Sequence, residues 1–284
     1  MNKPKDADGC FDVSNCSVVS YGGGVNSTAM LIGMILKNER PGAVLFADTG
    51  GEKPETYDFI AAFREWMKSN DMQLTVIAYS PSLTSPLGVD FACNSKHGSL
   101  EDECHTNGTL PSKAFGFGGC SQKWKRYPMD KWVAQWQPAI DAWGKGEKVQ
   151  RVIGIHAGES RRGKIPDCEK FTYRFALKEW GWSQEHCEAA IKAQGLPLPI
   201  KSACFFCPSM RKPEVLALAK EHPELFDRAV AMEQNAKECE GLDVVKGLGR
   251  HWSWENLRKA DASQLRLPIF VDAQSPICDT CLDW

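Results

Sequence analysis

Three groups of residues in this chain are of types, and at spacings, that can do chemistry. Gly22-Gly23-Gly24 precedes Asn26, Ser27 and Thr28 and an apolar stretch ending at Leu36. Glycines lack a Cβ, so backbone N–H groups can converge on an anion there. A following helix adds the positive end of its dipole, and Ser27 and Thr28 offer hydroxyl donors. The spacing is neither G-x-x-x-x-G-K-[ST] nor G-x-G-x-x-G, which weakens kinase-type and dehydrogenase-type readings. The second group is Cys204-Phe205-Phe206-Cys207-Pro208. Its C-x-x-C spacing suits a tetrahedral metal or an iron-sulfur cluster; a thioredoxin-type redox pair shares the spacing, but the flanks do not read as the start of a βαβ unit. The third is cationic: Lys123, Lys125 and Arg126 follow Cys120, and Arg161-Arg162 follow Glu159-Ser160. Guanidinium groups pair with phosphate in a planar, charge-assisted fork.

The elements that must hold these groups alternate. Ser17 to Tyr21, Ala43 to Ala47, Gln73 to Ala78 and Arg151 to Ile155 are short apolar runs that read as strands. Ser27 to Leu36, Lys53 to Lys68 and Gln122 to Trp143 read as helices. This rhythm predicts an α/β fold: a doubly wound, mostly parallel, Rossmann-like sheet with ligands at the carboxyl ends of its strands. Residues 80–119 break the rhythm and read as a long functional insertion over the sheet's edge. From about Cys168 the pattern turns helical, with Ser183 a candidate N-cap although His186 holds the capping-box position. The expected division is an α/β domain over 1–165, carrying the glycine turn, and a helical, cysteine-bearing region over 166–284.

Composition narrows the setting. Hydrophobic residues make up 43% and charged residues 25%, enough for a substantial core, and the net charge of −2 gives no global attraction to phosphate polymers. No basic-then-apolar leader opens the sequence, and no apolar run approaches the ~20 residues of a membrane span. A cytoplasmic protein without a membrane partner is the expectation. Its twelve cysteines then point to metal or cluster ligation, because disulfides are rare in reduced compartments. Cys10, Cys16, Cys93, Cys104, Cys187 and Cys239 stand singly and read as small buried hydrophobes.

Gly22-Gly23-Gly24-Val25-Asn26-Ser27 resembles the S-G-G-x-D-S pyrophosphate loop of the adenine nucleotide α-hydrolase superfamily, which includes N-type ATP pyrophosphatases and phosphoadenosine phosphosulfate (PAPS) reductases. Gly22 stands for the family serine, with Ser20 just upstream as a substitute donor, and Asn26 stands for the aspartate. Leu45-Phe46-Ala47-Asp48-Thr49-Gly50, with Pro54-Glu55-Thr56, resembles the second strand and its D-T-G…P-E-T segment. Gly154-Ile155-His156-Ala157-Gly158-Glu159-Ser160-Arg161-Arg162 resembles G-x-R-x-x-E-S-x-R, with His156 at the arginine position. Cys120 to Lys125 is similar to C-[ST]-x-x-x-K.

The resemblance implies ATP on Ser20, Gly22, Gly23, Gly24, Asn26, Ser27 and Thr28, with adenine cradled by backbone at Phe46 and Ala47. Asp48, Thr49 and Gly50 would lie beside the phosphates or their Mg²⁺, and Asp48, Lys125, Arg161 and Arg162 would act on the phosphates. It also implies a [4Fe-4S] cluster on Cys120, Cys204 and Cys207, since adenylyl sulfate reductases use a Cys-Cys pair with a distant C-x-x-C; Gly119 replaces one member of the pair here. Spacing does not choose a fourth ligand among Cys168, Cys187, Cys278 and Cys281. Zn²⁺ on Cys204, Cys207, Cys278 and Cys281 is the second option.

The leading expectation is cleavage of ATP between its α- and β-phosphates, adenylating or thiolating an acceptor. Sulfonucleotide reduction ranks second: no E-C-G-L-H segment is present, and Asp279 and Asp283 beside Cys281 disfavour its thiolate. A nucleotide-binding accessory protein without turnover is third. Lys201 to Pro208 is similar to stand-alone phage-, plasmid- or CRISPR-associated members, which leaves nucleic acid or a ribonucleoprotein open as partner. Several of the ten tryptophans could stack bases, but most read as packing residues. A homodimer is one option for the assembly.

Overall fold

A computed structural model describes residues 16–159, 165–242 and 244–264. Its centre is a sheet of β1 (Ser17–Tyr21), β2 (Ala43–Asp48), β3 (Leu74–Ala78), β4 (Phe91–Ala92), β5 (Val149–Ile153) and β6 (Phe171–Arg174). All pairings are parallel and the order is β4-β3-β2-β1-β5-β6. The helices are α1 (Val25–Leu36), α2 (Pro54–Lys68), α3 (Leu100–Thr106), α4 (Gly119–Ser121), α5 (Tyr127–Val133), α6 (Gln137–Gly144), α7 (Ala176–Glu179), α8 (Gln184–Ala193), α9 (Lys212–Glu221), α10 (Pro223–Glu238) and α11 (Trp254–Gln264).

The sheet is doubly wound, as the alternation predicts. One face packs Val19, Tyr21, Phe46 and Val76 against α1, α2 and α8, where Met30, Ile60, Phe63 and Ile191 are buried. The other packs Val18, Leu45, Ile77 and Val149 against Met129 and Val133 of α5 and Ala139 of α6. Strands buried on both faces read as continuous apolar runs, which is why β1, β2 and β3 stand out in the sequence. Successive strands run outward from β1 through β2 and β3, then the chain crosses back to place β5 on the other side of β1. The carboxyl ends of β1 and β5 thus flank the point where the strand order reverses, the usual crevice for a ligand in such sheets.

Three expectations need correction. The sheet does not stop near residue 165: β6 pairs with β5 from Val149↔Phe171 to Val152↔Arg174, and α8 buries Cys187 and Ile191 in the core beneath α1. Nor does residues 80–119 merely cover an edge. Leu100, Cys104, Leu110 and Ala114 from that stretch join Trp124, Phe205, Phe226 and Trp254 in a separate apolar core with α9, α10 and α11. The continuous helix expected over Gln122 to Trp143 is also broken, into a π-helical turn at Gln122–Arg126, α5, and α6, which opens with Pro138 in its first turn.

Within the second core a carboxylate does structural work. Glu233 of α10 is fully buried and accepts backbone N–H groups of Leu248 at 2.6 Å and Trp254 at 3.0 Å. Burial pushes its carboxyl above the ordinary range, although these hydrogen bonds oppose the rise.

Candidate functional site

The glycine turn joins β1 to α1. Gly23 has φ +73°, a left-handed conformation that favours glycine, and a Cβ there would lie 2.8 Å from Ile60 Cδ1. Gly24 is the N-cap of α1 and contributes no side chain, leaving the first turn of the helix to an anion. Ser27 folds back on the turn: its Oγ accepts from Gly22 N at 3.2 Å and donates to Gly24 O at 3.1 Å. Thr28 faces inward, fully buried, with its hydroxyl 3.2 Å from that of Tyr21. Of the two hydroxyls expected as donors, Ser27 shapes the turn and Thr28 ties α1 to β1. Ser20 lies inside β1, paired with Leu45 on one side and Ile153 on the other.

The end of β2 lies beside this turn. Pairing of β1 with β2 ends at Tyr21↔Phe46, whereas pairing of β2 with β3 runs on to Asp48↔Ala78. Beyond Phe46, among the described residues, no strand pairs with the β1-side edge of β2, which leaves main-chain groups of Ala47 and Asp48 outside the sheet's pairing on that side. Phe46 and Ala47 themselves turn buried side chains into the core. Asp48 is fully buried; its Oδ1 accepts from Gly50 N at 2.8 Å and from the Tyr57 hydroxyl at 2.9 Å, and its Oδ2 has no partner among the described residues. Burial first, and Asp48 second, push the Tyr57 hydroxyl far above its ordinary value, so it stays a donor.

Four residues further on, Glu52 collects two donors. Lys125 Nζ lies 3.1 Å from its Oε1, and Ser202 Oγ 3.2 Å from its Oε2. Burial works to lower the Lys125 pKa, but Glu52 and then the Cys204 sulfur more than offset it and hold the amine charged. Lys125 belongs to the π-helical turn, whose wider winding re-aims side chains relative to an α-helix.

On the other side of β1, Gly154 follows β5. A Cβ at Gly154 would lie 2.8 Å from both N and Cα of Ser27, so this glycine lets β5 close against the first turn of α1. Asn26 Nδ2 then donates to Glu159 Oε1 at 2.9 Å, and the buried Asn26 Oδ1 has no partner. His156 Nδ1 accepts from Gly158 N at 3.1 Å, and its Nε2 is 3.6 Å from Glu159 Oε1. Where the resemblance leads one to expect aspartate and arginine, the chain has an amide and an imidazole sharing one glutamate. Arg161 and Arg162 lie outside the described residues.

The cysteine segment crosses this region. Glu52 and Cys204 form an antiparallel bridge, and Phe205 N donates to Gly51 O at 2.7 Å. A Cβ on Gly51 would come within 2.8 Å of the Phe206 ring, which is why backbone can approach there. Upstream, Ser202 Cβ would be 3.9 Å from a Cβ on Gly24. Lys201 to Cys204 therefore runs from the glycine turn to the end of β2. Cys204 Sγ is 3.2 Å from Thr49 Oγ1, and its thiol is pushed up to about 12, by burial first, with Lys125 opposing and Glu52 adding. Cys120 follows the loop that approaches Ser112, whose Oγ accepts from Cys120 N at 2.6 Å.

Cys120, Cys204 and Cys207 all border the second core, together with buried Cys104. Two of the fourth-ligand candidates fall elsewhere: Cys187 is in the first core beneath α1, and Cys168 is exposed just ahead of β6. Cys278 and Cys281, and with them the four-cysteine zinc option, lie outside the described residues. Among the described residues no three His, Cys, Asp or Glu side chains are already drawn together around a single ion.

Sequence reading missed Glu52 and Ser202 as site residues, whereas Cys104 is a buried core residue, as expected. Ser99-x-x-Asp102 is an N-cap pattern, and Ser99 Oγ accepts from Asp102 N at 3.0 Å to start α3. The tryptophans are packing residues where they are most buried: Trp124 and Trp254 are 0% exposed. Trp180 and Trp182 lie over Gly33, and Trp132 stacks on Trp136. Among the described residues no helix is long and apolar enough to cross a membrane.

Residues 16–90 match the phosphoadenosine phosphosulfate reductase domain. No curated protein sequence matches the chain. Two solved structures are similar. One is a phosphoadenylyl-sulfate (PAPS) reductase from Candida auris in a phosphate complex, 15% identical, covering 66% of this chain and 76% of that one with a TM-score of 0.42. The other is the U34-tRNA thiolase NcsA from Methanococcus maripaludis with its [4Fe-4S] cluster, 14% identical, covering 81% of this chain and 75% of that one with a TM-score of 0.41.

Proposed function

We propose, for a chain of the PAPS reductase-like adenine nucleotide α-hydrolase superfamily, that its activity is cleavage of ATP between the α- and β-phosphates. Water, or an oxygen of an acceptor, attacks the α-phosphorus; the bond to the bridging oxygen breaks, pyrophosphate leaves, and AMP or an adenylated acceptor remains. The observation that carries this reading is the construction of the crevice. A glycine turn and a bare helix start lie between the open edge of β2 and the end of β5, and a buried carboxylate oxygen on Asp48 has no partner.

Each residue then has a part. Amides of Gly22 to Gly24 and the start of α1 hold phosphate oxygens, and Ser27 keeps the turn in shape. Backbone of Ala47 and Asp48 meets the adenine. Asp48 Oδ2 is a hard oxygen suited to Mg²⁺, with Tyr57 and Gly50 N fixing the carboxylate's orientation. Magnesium there would neutralise charge on the phosphates as the leaving group departs. Lys125, held charged by Glu52, supplies a cation near the cysteine end of the site. Arg161 and Arg162 are proposed to meet the pyrophosphate.

The cysteines fit a second cofactor. Cys120, Cys204 and Cys207 border one apolar core, and Cys120 also lines a cavity of about 260 Å³ beside it. A [4Fe-4S] cluster on these thiols would supply iron-sulfur chemistry beside the activated acceptor, with nucleic acid or a ribonucleoprotein as the proposed acceptor or partner.

Incubation with α-labelled ATP is expected to release labelled AMP only with Mg²⁺ present, first alone and then with added nucleic acid. ADP as the sole product would reject the mechanism, and tight nucleotide binding with no product would make the protein an accessory binder. The domain match favours one alternative, reduction of a sulfonucleotide. Cys204, partly buried and with a thiol pushed up to about 12, is a poor attacking thiolate for it. Release of sulfite from labelled PAPS with a dithiol reductant would support that alternative over the first.

A further inference from the structure

Cys104 stands alone in the sequence, sixteen residues before Cys120, inside a stretch without a clear period. The fold removes that isolation. Helix α3 is held at two points beside the other thiols. At its start, Leu100 N donates to Thr49 O at 3.3 Å, and the same Thr49 touches Cys204 through its hydroxyl. One turn later Glu103 accepts Trp124 Nε1 at 2.6 Å and pairs with Lys123, both in the turn that follows Cys120. Cys104 follows directly after the second of these points.

The result is a common lining. Cys104 and Cys120 face the same cavity of about 260 Å³, with Leu100, Leu110 and Trp124 as its apolar walls. Cys120, Cys204 and Cys207 pack on the apolar core to which Cys104 belongs. The Cys120 and Cys204 sulfurs are also electrostatic neighbours of the Cys104 thiol. Cys187 and Cys168 have no such relation, being in the other core and on the surface.

We propose that Cys104 is the fourth cysteine ligand of the iron-sulfur cluster, completing the set Cys104, Cys120, Cys204 and Cys207. This rests on the cluster reading given above. Each thiol gives up its proton on ligation, so loading releases protons and involves no change in the oxidation state of sulfur. With these four thiols the protein would supply every cluster ligand, and one of them, Cys204, also touches Thr49 at the end of β2.

The test uses the full chain prepared anaerobically, with iron and acid-labile sulfide measured per chain and electron paramagnetic resonance recorded after reduction. Wild type is expected to hold about four irons. Cys104→Ala is expected to lose most of the iron or to fall to a three-iron signal, while Cys187→Ala and the double variant Cys278→Ala/Cys281→Ala keep the wild-type content. Cys104→Ser, close in shape, covers the case in which the alanine variant does not fold. It is expected to fold and either to lose iron or to shift the resonance through an oxygen ligand. Wild-type iron and an unchanged spectrum in Cys104→Ser overturns the assignment, as does cluster loss in the Cys278/Cys281 variant with Cys104→Ser unaffected. Wild type without iron overturns the cluster reading itself, and this assignment with it.

Discussion

The Lys125 ammonium and the Glu52 carboxylate lie 3.1 Å apart, and Ser202 holds the second oxygen of the same carboxylate at 3.2 Å. Glu52 presents no side-chain surface to solvent, whereas a third of Lys125 is open. One carboxylate thus joins the π-helical turn, the end of β2 and the segment that leads into the C-x-x-C.

Lys125→Met leaves Glu52 buried with only a hydroxyl for a partner. Breaking a fully buried pair costs ~3–5 kcal/mol; the partial exposure of Lys125 brings the expected loss to about 2 kcal/mol. Urea unfolding measures it. Glu52→Gln with Lys125→Met is expected to recover part of the loss, since no charge is then stranded. AMP formation is expected to fall at least tenfold in both, and unchanged turnover in Lys125→Met would remove Lys125 from the site.

Gly154→Ala places a Cβ 2.8 Å from the backbone of Ser27, which cannot move without shifting α1. Overpacking of this kind costs about 1–3 kcal/mol and here falls on the crevice. The expected outcome is a lower melting temperature together with weakened binding of a non-hydrolysable ATP analogue. Gly118→Ala is the control, because a Cβ there meets nothing within 4 Å. Equal affinity in the two variants would show that the β1–β5 crevice is not where nucleotide binds.

Tyr57→Phe removes one of two donors to Asp48 Oδ1 and is expected to cost about 1 kcal/mol in stability. Turnover should survive with a raised Mg²⁺ requirement. Asp48→Asn should abolish the Mg²⁺ dependence of AMP release along with most of the activity. A magnesium titration of both variants separates orientation of the carboxylate from its charge.

Stability should fall on the acid side through two surface carboxylates. In Glu55 and in Glu214 burial works to raise the pKa. Hydrogen bonds outweigh it, from the backbone and His222 on Glu55 and from the Arg211 backbone and Lys201 on Glu214, and both end below the ordinary value of 4.5. The unfolded chain therefore takes up these protons first as pH falls. The stabilisation is complete above the unfolded value and is lost as pH drops through the depressed folded values. Each pair is solvent-screened, so the loss should stay below about 1 kcal/mol per carboxylate. Urea midpoints followed down to about pH 3 should decline less steeply in Glu55→Gln/Glu214→Gln than in wild type.

The strands nearest the site were legible because each is short, β-branched and buried on both faces. β6 was not: Phe171-Thr172-Tyr173-Arg174 has one buried residue, sits at an edge, and carries no run for periodicity to find. The N-cap at Ser183 was legible with an unexpected partner, as His186 Nδ1 accepts from Ser183 N at 3.2 Å in place of an acid. At the site, Asp48 and Gly22 to Gly24 are marked by type and order. Glu52, Ser202 and Cys104 are not, because the first two meet partners 73 and 150 residues away and the third meets the other thiols only through a shared core, which no local pattern encodes.

Ser202 lies against Gly24 on one side and binds Glu52 on the other, two residues ahead of Cys204. A single strap thus borders both the phosphate turn and the thiols. On the proposed reading any coupling through it would be reciprocal: by whatever factor nucleotide altered the affinity of the cysteines for iron, iron would alter the affinity for nucleotide by that same factor. The chain would then read its own metal status at the nucleotide site, with no messenger between them beyond two residues of backbone.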